Sequence, residues 1–142
     1  MIILDTNVLS ELMKPKKSEI VRSWAAQESL MTLFTTTITQ AEILYGIALL
    51  PAGKRRGELS QAAQLMFSED FAGRVLPFDQ AAAVAFANIA SQRRQNGTPI
   101  SQADAQIAAI CYTHTATIAT RNFSDFEGCG ISIINPWELP RR

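Results

Sequence analysis

The feature that most constrains the fold of this chain is an alternation of short apolar runs with segments of helical periodicity. Residues 1–4 (MIIL) form an uninterrupted apolar run, typical of a strand buried on both faces. Apolar residues at helical spacing follow over residues 6–13, and Lys14-Pro15 ends that segment. Strands that alternate with helices form parallel sheets covered by crossover helices. The sequence therefore predicts an open α/β/α sandwich with a central four- to five-stranded parallel sheet, in one domain spanning residues 1–142.

The other elements are predicted from the same periodicities and from the turn residues between them. Residues 53–56 (GKRR) do not form a phosphate-binding loop, because Ala48 and Arg55 stand where its first glycine and its hydroxyl residue are needed. They are expected to form a solvated loop, with a patch that binds the RNA backbone or contacts an antitoxin as the alternative. The further strands are predicted at 31–37, 74–78, 115–120 and 131–134, and the further helices at 18–28, 39–50, 58–68, 80–95 and 101–113, with a single turn at 123–127.

Composition and charge narrow the class of protein. The 13 basic and 13 acidic residues give zero formal net charge, so the chain lacks the overall basic character of a dedicated nucleic-acid binder. Cys111 and Cys129 form no CxxC pair and are predicted to be buried thiols in a reducing compartment. Neither a signal peptide nor a transmembrane helix is expected, because no basic segment precedes the first apolar run and no apolar stretch is long enough. We therefore expect a cytoplasmic protein without a membrane partner.

Three acids are predicted to meet at one edge of the sheet. Asp5 directly follows the first strand, where an unpaired buried carboxylate would be costly. Thr39-x-x-Glu42 and Ser101-x-x-Asp104 each fit a capping box, in which a hydroxyl and an acid satisfy backbone donors at the start of a helix. Ligands of a parallel sheet bind outside the carboxyl ends of its strands, which is where these acids are expected. The presence of all three acids at one edge therefore favours a shared ligand-binding site over three separate structural roles.

An acidic cluster of this kind has a definite chemistry. Neighbouring carboxylates repel one another and raise each other's pKa unless a cation neutralises them. A highly charged set of oxygen ligands selects a hard cation, Mg²⁺ or Mn²⁺, which binds a few carboxylates together with water and substrate phosphate. Such an ion activates water and offsets charge on a phosphate. Phosphodiester hydrolysis is therefore the predicted reaction class.

Four segments of the chain together resemble the PIN-domain family, and within it the VapC-type toxins and their FitB-type relatives. The segments are IILDTNVLSEL at 2–12, ITQAEILYGI at 38–47, ISQADAQIAAIC at 100–111, and ATRNFSDFEG at 119–128 followed by INPWEL at 134–139. The resemblance implies a PIN-like α/β/α sandwich. It also implies a Mg²⁺-dependent endoribonuclease that cuts single-stranded regions of RNA, in many relatives tRNA.

The same resemblance assigns roles to residues of this chain. It implies that Asp5 and Asp104 are direct metal ligands, and that Glu42 binds the metal through water or helps to activate the attacking water. Thr6 and Asn7, on the turn after the first strand, would tune Asp5 through hydrogen bonds.

The fourth acidic position of the family is ambiguous in this chain. Relatives often carry an acid at or near the TRN segment, where this sequence has Asn122 and, three residues later, Asp125. Asn122 would ligate a cation only through a neutral carbonyl oxygen. Arg121 lies beside the predicted site, where it could contact a phosphate. Asn122, Asp125 and Arg121 are therefore secondary candidates.

The resemblance also implies partners. These are an RNA substrate, a second copy of the chain in a homodimer, and a VapB-type antitoxin that inserts a C-terminal segment into the active-site groove. Operator DNA would be bound only through the antitoxin. The helices at 18–28 and 58–68 are candidates for the dimer or antitoxin surfaces.

Two other functions remain open at this point. A haloacid-dehalogenase-like phosphohydrolase also begins with an aspartate after the first strand, but Asn7 occupies the place of its second acid. The other alternative is a non-catalytic PIN-like module that binds nucleic acid or protein. His114 is predicted to lie at a helix C-terminus and to form no zinc site with Cys111. Arg93-Arg94 is predicted to be a solvated basic pair.

Overall fold

The computed structural model describes residues 1–138 and contains a five-stranded sheet in which all strands are parallel. The predicted α/β/α sandwich is confirmed. Leu139, the last residue of the INPWEL segment, lies outside the described residues. The spatial order of the strands is β3-β2-β1-β4-β5. The strands are β1 (Ile2–Leu4), β2 (Leu33–Thr36), β3 (Val75–Leu76), β4 (Thr117–Ala119) and β5 (Ser132–Ile134).

The helices follow the predicted order, with one clear difference at residues 53–56. Lys54, Arg55 and Arg56 begin a helix, so the predicted solvated loop at this position is wrong. Lysine and arginine are good helix formers, and nothing in the segment opposes a helix after Gly53. The helices are α1 (Thr6–Met13), α2 (Glu19–Gln27), α3 (Thr37–Ala48), α4 (Lys54–Leu65), α5 (Gln80–Gln95), α6 (Gln102–Thr113) and α7 (Phe123–Phe126), with a 3₁₀ turn at Leu30–Thr32 and a π turn at Met66–Asp70.

The central strand β1 divides the core into two apolar layers. Ile3 and Leu4 are both fully buried and belong to different layers, because successive side chains of a strand point to opposite faces. Ile3 packs with residues of α5 and α6, whereas Leu4 packs with residues of α1, α2 and α3. Cys111 and Cys129 are buried free thiols, as predicted. Among the helices of residues 1–138, none has the length and apolar character that a membrane span requires.

The strand order reverses between β1 and β4. From β1 the chain continues to β2 and β3 on one side, whereas β4 and β5 lie on the other. Ligand sites of parallel sheets lie outside the carboxyl ends of the strands at such a reversal. The backbone N–H of Asp5 donates to the carbonyl of Ala119 at 2.9 Å, so the two strands stay paired to their ends. Asp5 and Thr120 are therefore held side by side.

The start of α3 differs from the prediction. Thr39 is not the N-cap. Instead, the helix begins at Thr37, and the Oγ1 of Thr36 accepts the backbone N–H of Thr39 at 3.1 Å. No loop separates β2 from α3, so the last strand residue caps the helix. Glu42 therefore lies in the second turn. The other predicted cap is confirmed, because Ser101 Oγ accepts the backbone N–H of Asp104 at 3.2 Å.

We expect Thr36→Ala to lower the free energy of unfolding by about 1–2 kcal/mol, because it removes a buried N-cap. Thr36→Ser is the matched control, since it keeps the capping oxygen and removes only a methyl group. Urea unfolding of the two variants measures the difference. Equal stability of the alanine and serine variants would show that the Thr36 hydroxyl does not stabilise α3.

Candidate active site

Asp5 is a buried carboxylate at the end of the central strand. It is 4% exposed and both of its oxygens are hydrogen-bonded. Oδ1 accepts the backbone N–H of Thr6 at 2.8 Å. Oδ2 accepts the hydroxyl of Thr120 at 2.8 Å and the side-chain amide of Asn7 at 3.2 Å. These donors fix the orientation of the carboxylate and partly replace the water that it loses on burial.

Thr6 connects Asp5 to Glu42. Its backbone N–H donates to Asp5, and its hydroxyl donates to Glu42 Oε1 at 2.8 Å. The same hydroxyl lies 3.1 Å from the hydroxyl of Thr39, which is fully buried. Glu42 is exposed on α3, so Thr6 orients a carboxylate that would otherwise rotate freely in solvent. The structure thereby brings together Asp5, Thr6 and Glu42.

Asp104 approaches the same edge from the start of α6. It is half-buried in the first turn of that helix. Because α6 runs back towards the start of β4, its N-terminal end lies at the carboxyl edge of the sheet. The charges of Glu42 and Asp125 both act on Asp104, and the charge of Asp104 acts on Asp5. All four carboxylates therefore lie within electrostatic range at one edge.

The segment after β4 holds the secondary candidates. Asn122 is exposed, and its backbone N–H donates to the hydroxyl of Thr120 at 3.1 Å. Asp125 is half-buried in α7. The backbone N–H of Arg121 donates to Asn7 Oδ1 at 3.1 Å, and its guanidinium stacks over the Trp137 ring at 4.8 Å from the centroid. Arg121 is thus a solvent-exposed cation in a defined orientation next to the acids.

The prediction of a solvated Arg93-Arg94 pair is wrong for Arg93. Arg94 is exposed, whereas Arg93 is only 8% exposed and donates to the carbonyl oxygens of Thr98, Ser124 and Glu127. Arg93 lies on the buried face of α5, at helical spacing from Ala85 and Ile89, although its charge favours an exposed position. Two of its carbonyl partners, Ser124 and Glu127, are more than 30 residues away along the chain, and only the folded structure brings them to Arg93.

Burial dominates the ionisation of the acidic edge. It raises the pKa of Asp5 to about 6, against the hydrogen bonds from Thr120 and Thr6, and the charges of Asp104 and Glu42 raise it further. Burial also raises the pKa of Asp104. The Ser101 hydroxyl lowers that pKa, and the charge of Asp125 raises it. A pKa raised by burial and by neighbouring carboxylates is typical of a cation-binding or catalytic site.

The donors at this edge fit a hard cation. The donors described above are carboxylate and hydroxyl oxygens, the ligands that such an ion prefers. Within residues 1–138, no group of three or more His, Cys, Asp or Glu side chains has the spacing to hold an ion by itself. Mg²⁺ is characteristically held by one or two carboxylates, with water and substrate phosphate as its other ligands. The arrangement suits that mode of binding rather than a closed protein cage.

Two site residues were not assigned a site role from the sequence. Thr120 follows the apolar end of β4 in the same way that Asp5 follows β1, and this parallel was the signal that could have identified it. Thr39 was placed at a helix start, whereas it lies inside α3 and contacts the Thr6 hydroxyl. Asn7 donates to Asp5, so the position where a haloacid-dehalogenase-like enzyme needs a second acid holds an amide donor.

Comparison with known proteins identifies the family. The PIN domain family matches residues 2–127, and this chain belongs to it. VapC ribonuclease Y4jK of Sinorhizobium fredii is 43% identical over 97% of this chain and 99% of its own length. Toxin FitB of Neisseria gonorrhoeae is 39% identical over 96% of this chain and 99% of its own length. A solved structure of FitAB bound to an IR36 DNA fragment matches with a TM-score of 0.92 and 38% identity, over 99% of both chains. The resemblance seen in the four sequence segments is confirmed.

We expect Asp5→Asn to stabilise the protein at neutral pH when no divalent cation is present. The pKa of Asp5 rises from its ordinary value of 3.8 to about 6 in the folded chain, so the native state holds this proton more tightly than the unfolded state. The contribution of Asp5 to native stability is therefore greatest below about pH 4, and it falls by up to about 3 kcal/mol as the pH rises to about 6. The substitution removes this cost.

Urea unfolding in EDTA at a series of pH values measures the effect. The variant and the wild type are expected to converge below about pH 4, where Asp5 is protonated in both states of the wild type. Asp70→Asn is the control, because Asp70 is exposed and remote from the acidic edge. An Asp5→Asn protein less stable than wild type at neutral pH would contradict the expectation.

Proposed function

We propose that this protein is the ribonuclease toxin of a toxin–antitoxin system, hydrolysing phosphodiester bonds in single-stranded regions of RNA, with tRNA a candidate substrate. The observation that carries the proposal is the meeting of Asp5, Glu42 and Asp104 at the strand-order reversal of a PIN-domain sheet. The 43% identity to a protein named VapC ribonuclease supports it. The same alignments, which cover nearly the whole length, support one PIN domain over residues 1–142.

We also propose a divalent metal, Mg²⁺ or Mn²⁺, as the cofactor. Asp5 and Asp104 would hold it directly, and Glu42 through water. When bound, the metal supplies acidity to a water ligand and offsets charge on the phosphate. Thr120 and the Thr6 backbone keep the Asp5 carboxylate oriented for this role. Glu42, held by the Thr6 hydroxyl, would orient the attacking water and accept its proton.

On the substrate side, Arg121 is proposed to contact a phosphate of the RNA. Its guanidinium is exposed and oriented by Trp137, and its backbone is held by Asn7, which also donates to Asp5. A phosphate bound by Arg121 would therefore lie beside the acidic edge. A local cation suffices in a chain with no net positive charge, because the contacts needed for cleavage are short-range.

We expect Asp5→Asn to reduce RNA cleavage by at least about a thousandfold, because it removes a proposed metal ligand from the reacting centre. The measurement is cleavage of a panel of single-stranded and structured RNAs with Mg²⁺, with Mn²⁺ and with EDTA. Asp70→Asn, prepared identically, is expected to cleave like the wild type.

Equal cleavage by wild type and Asp5→Asn would show a contaminating nuclease or a wrong site. Thermal melting in Mg²⁺ separates the non-catalytic alternative from the nuclease, because an ion that binds only the native state raises the melting temperature. A wild type that binds Mg²⁺ but cleaves no RNA in the panel would favour a non-catalytic PIN-like module.

A VapB-type antitoxin is the proposed protein partner, bound in a groove next to the acids. A groove of about 360 Å³ begins at Thr6 and Glu42 and continues along α1, α3 and α4. Its floor is largely apolar, and Lys14 and Arg55 lie on its rim. An extended segment lying there would reach Glu42 and block access to the site. Binding of operator DNA is proposed only for the complex with the antitoxin.

We expect the antitoxin to suppress RNA cleavage, and Gly46→Leu to relieve that suppression. Gly46 lines the groove on α3, and a Cβ added there meets no atom within 4 Å, so a leucine at this position is expected to extend into the groove. Antitoxin binding is expected to weaken by at least about tenfold, or 1.4 kcal/mol. Titration calorimetry and inhibition of cleavage measure the effect.

Gly57→Leu is the matched control for this experiment. Gly57 is also an exposed helical glycine with free space around it, but it lies outside the groove. If the complex cleaved RNA as fast as the free protein, the proposed inhibition would be wrong. If both glycine variants bound the antitoxin like the wild type, the groove would not be its binding site.

A homodimer is also proposed from the family resemblance. Exposed apolar side chains on the helices, among them Tyr45, Val84 and Tyr112, provide surface for such an interface. Light scattering of the purified protein tests it, and a mass of 15.6 kDa at micromolar concentration would contradict it.

A further inference from the structure

Arg93 is a buried cation without a carboxylate partner among residues 1–138. It lies near the C-terminal end of α5 and is 8% exposed. Its Nε donates to the Thr98 carbonyl at 2.6 Å, and its Nη1 donates to the carbonyls of Ser124, at 3.4 Å, and Glu127. The ion pairs of this part of the chain involve other residues. A buried charge needs such partners, so Arg93 holds these three carbonyl groups in fixed positions.

The three carbonyl groups belong to two segments that form the acidic edge. Thr98 lies in the loop that leads to the start of α6, which carries Asp104. Ser124 and Glu127 lie in and directly after α7, the short helix that carries Asp125. One side chain thus joins the end of α5 to both segments.

The short helix α7 depends on contacts with the rest of the chain. It has only four residues, and Asn122 at its start makes no capping side-chain hydrogen bond. Helices this short are unstable alone. The Thr120 hydroxyl accepts the N–H of Asn122 at the start of this turn, the ring of Phe126 is buried, and Arg93 binds the carbonyls of Ser124 and Glu127 at its end. The position of Asp125 therefore depends on Arg93.

Asp125 and Asn122 differ in their relation to the site. Asn122 is exposed, and its backbone is bonded to Thr120. Asp125 is half-buried on α7, and α7 packs against α6, which carries Asp104 in its first turn. The charges of Asp125 and Arg93 both act on the Asp104 carboxyl, the first raising its pKa and the second lowering it. Both Arg93 and Asp125 are therefore electrostatically close to Asp104.

We propose that Arg93 is a positioning residue of the acidic site: by binding the carbonyls of Thr98, Ser124 and Glu127, it keeps Asp125 beside Asp104. Asp125, and not Asn122, is then the fourth acid of the edge. This inference rests on the proposed function, because it concerns the same metal-binding site. It assigns the buried guanidinium a role in metal affinity beyond stabilising the fold.

A second buried arginine provides the control. Arg74 is 7% exposed and donates to the carbonyls of Leu30, Leu33 and Asp70, while stacking on Phe71. It precedes β3 and contacts the first residue of β2, so it lies at the amino edge of the sheet, opposite the acids. Arg74→Lys and Arg93→Lys therefore remove the same kind of contact from opposite ends of the molecule.

The experiment compares Arg93→Lys, Arg74→Lys, Asp125→Asn and the double variant Arg93→Lys/Asp125→Asn. Mg²⁺ binding is measured by calorimetry on the folded proteins, together with the melting temperature in EDTA and with kcat and KM for RNA cleavage at saturating Mg²⁺. Both lysine variants are expected to melt at lower temperature. Only Arg93→Lys and Asp125→Asn are expected to weaken Mg²⁺ binding, by about tenfold. The double variant is expected to be less than about twofold weaker than Arg93→Lys, because both changes act on one contact.

Several results would overturn the inference. One is wild-type Mg²⁺ affinity in Arg93→Lys. Another is a loss of Mg²⁺ affinity in the double variant that equals the product of the losses in the two single variants. If Arg93→Lys fails to fold, Asp125→Asn alone decides, and unchanged Mg²⁺ affinity in it overturns the proposal. A wild type that neither binds Mg²⁺ nor cleaves RNA would instead overturn the proposed function itself, and this inference with it.

Discussion

The acidic site is organised around one carboxylate buried at the end of the central strand, at a cost in stability. Asp5 is almost completely removed from solvent, and this burial is the main reason that its pKa is raised. The hydrogen bonds from Thr120 and the Thr6 backbone partly offset the cost and hold the carboxylate in one orientation. Because β1 is the middle strand, the ends of α3, α6 and α7 can all approach Asp5. The remaining acids are arranged around this position.

The two buried arginines illustrate how a cation is accommodated in this fold without an ion pair. A guanidinium has five donors in a rigid plane, so it can bind several carbonyl groups from different segments at once. Arg74 does this at one edge of the sheet and Arg93 at the other. At the acidic edge this has a chemical consequence. Because Arg93 is bonded to carbonyl groups, the carboxylates nearby remain available to bind other ligands.

The elements that the sequence predicted well are those decided by local chemistry. Asp5 directly after an apolar strand indicated a site because burying a carboxylate is costly, and in the structure this carboxylate also caps α1. Ser101 was correctly identified as a cap, because a loop precedes it and a helix pattern follows. Thr39 was misplaced because β2 leads into α3 without a loop, and three threonines at 35–37 offered several possible caps. The choice among them depends on where the strand leaves the sheet.

By itself, the sequence determined the alternation of strands and helices, the family, and the three acids expected at the carboxyl edge of the sheet. These features depend on periodicity and on residues adjacent in the chain. Only the tertiary structure decided that Arg93 is buried, that Thr120 binds Asp5, and that Thr6 bonds to Glu42. The two hydrogen bonds join residues more than 30 positions apart, and the burial of Arg93 depends on contacts of the same kind. All three follow from the packing of the strands and helices. Local sequence pattern carries no record of that packing.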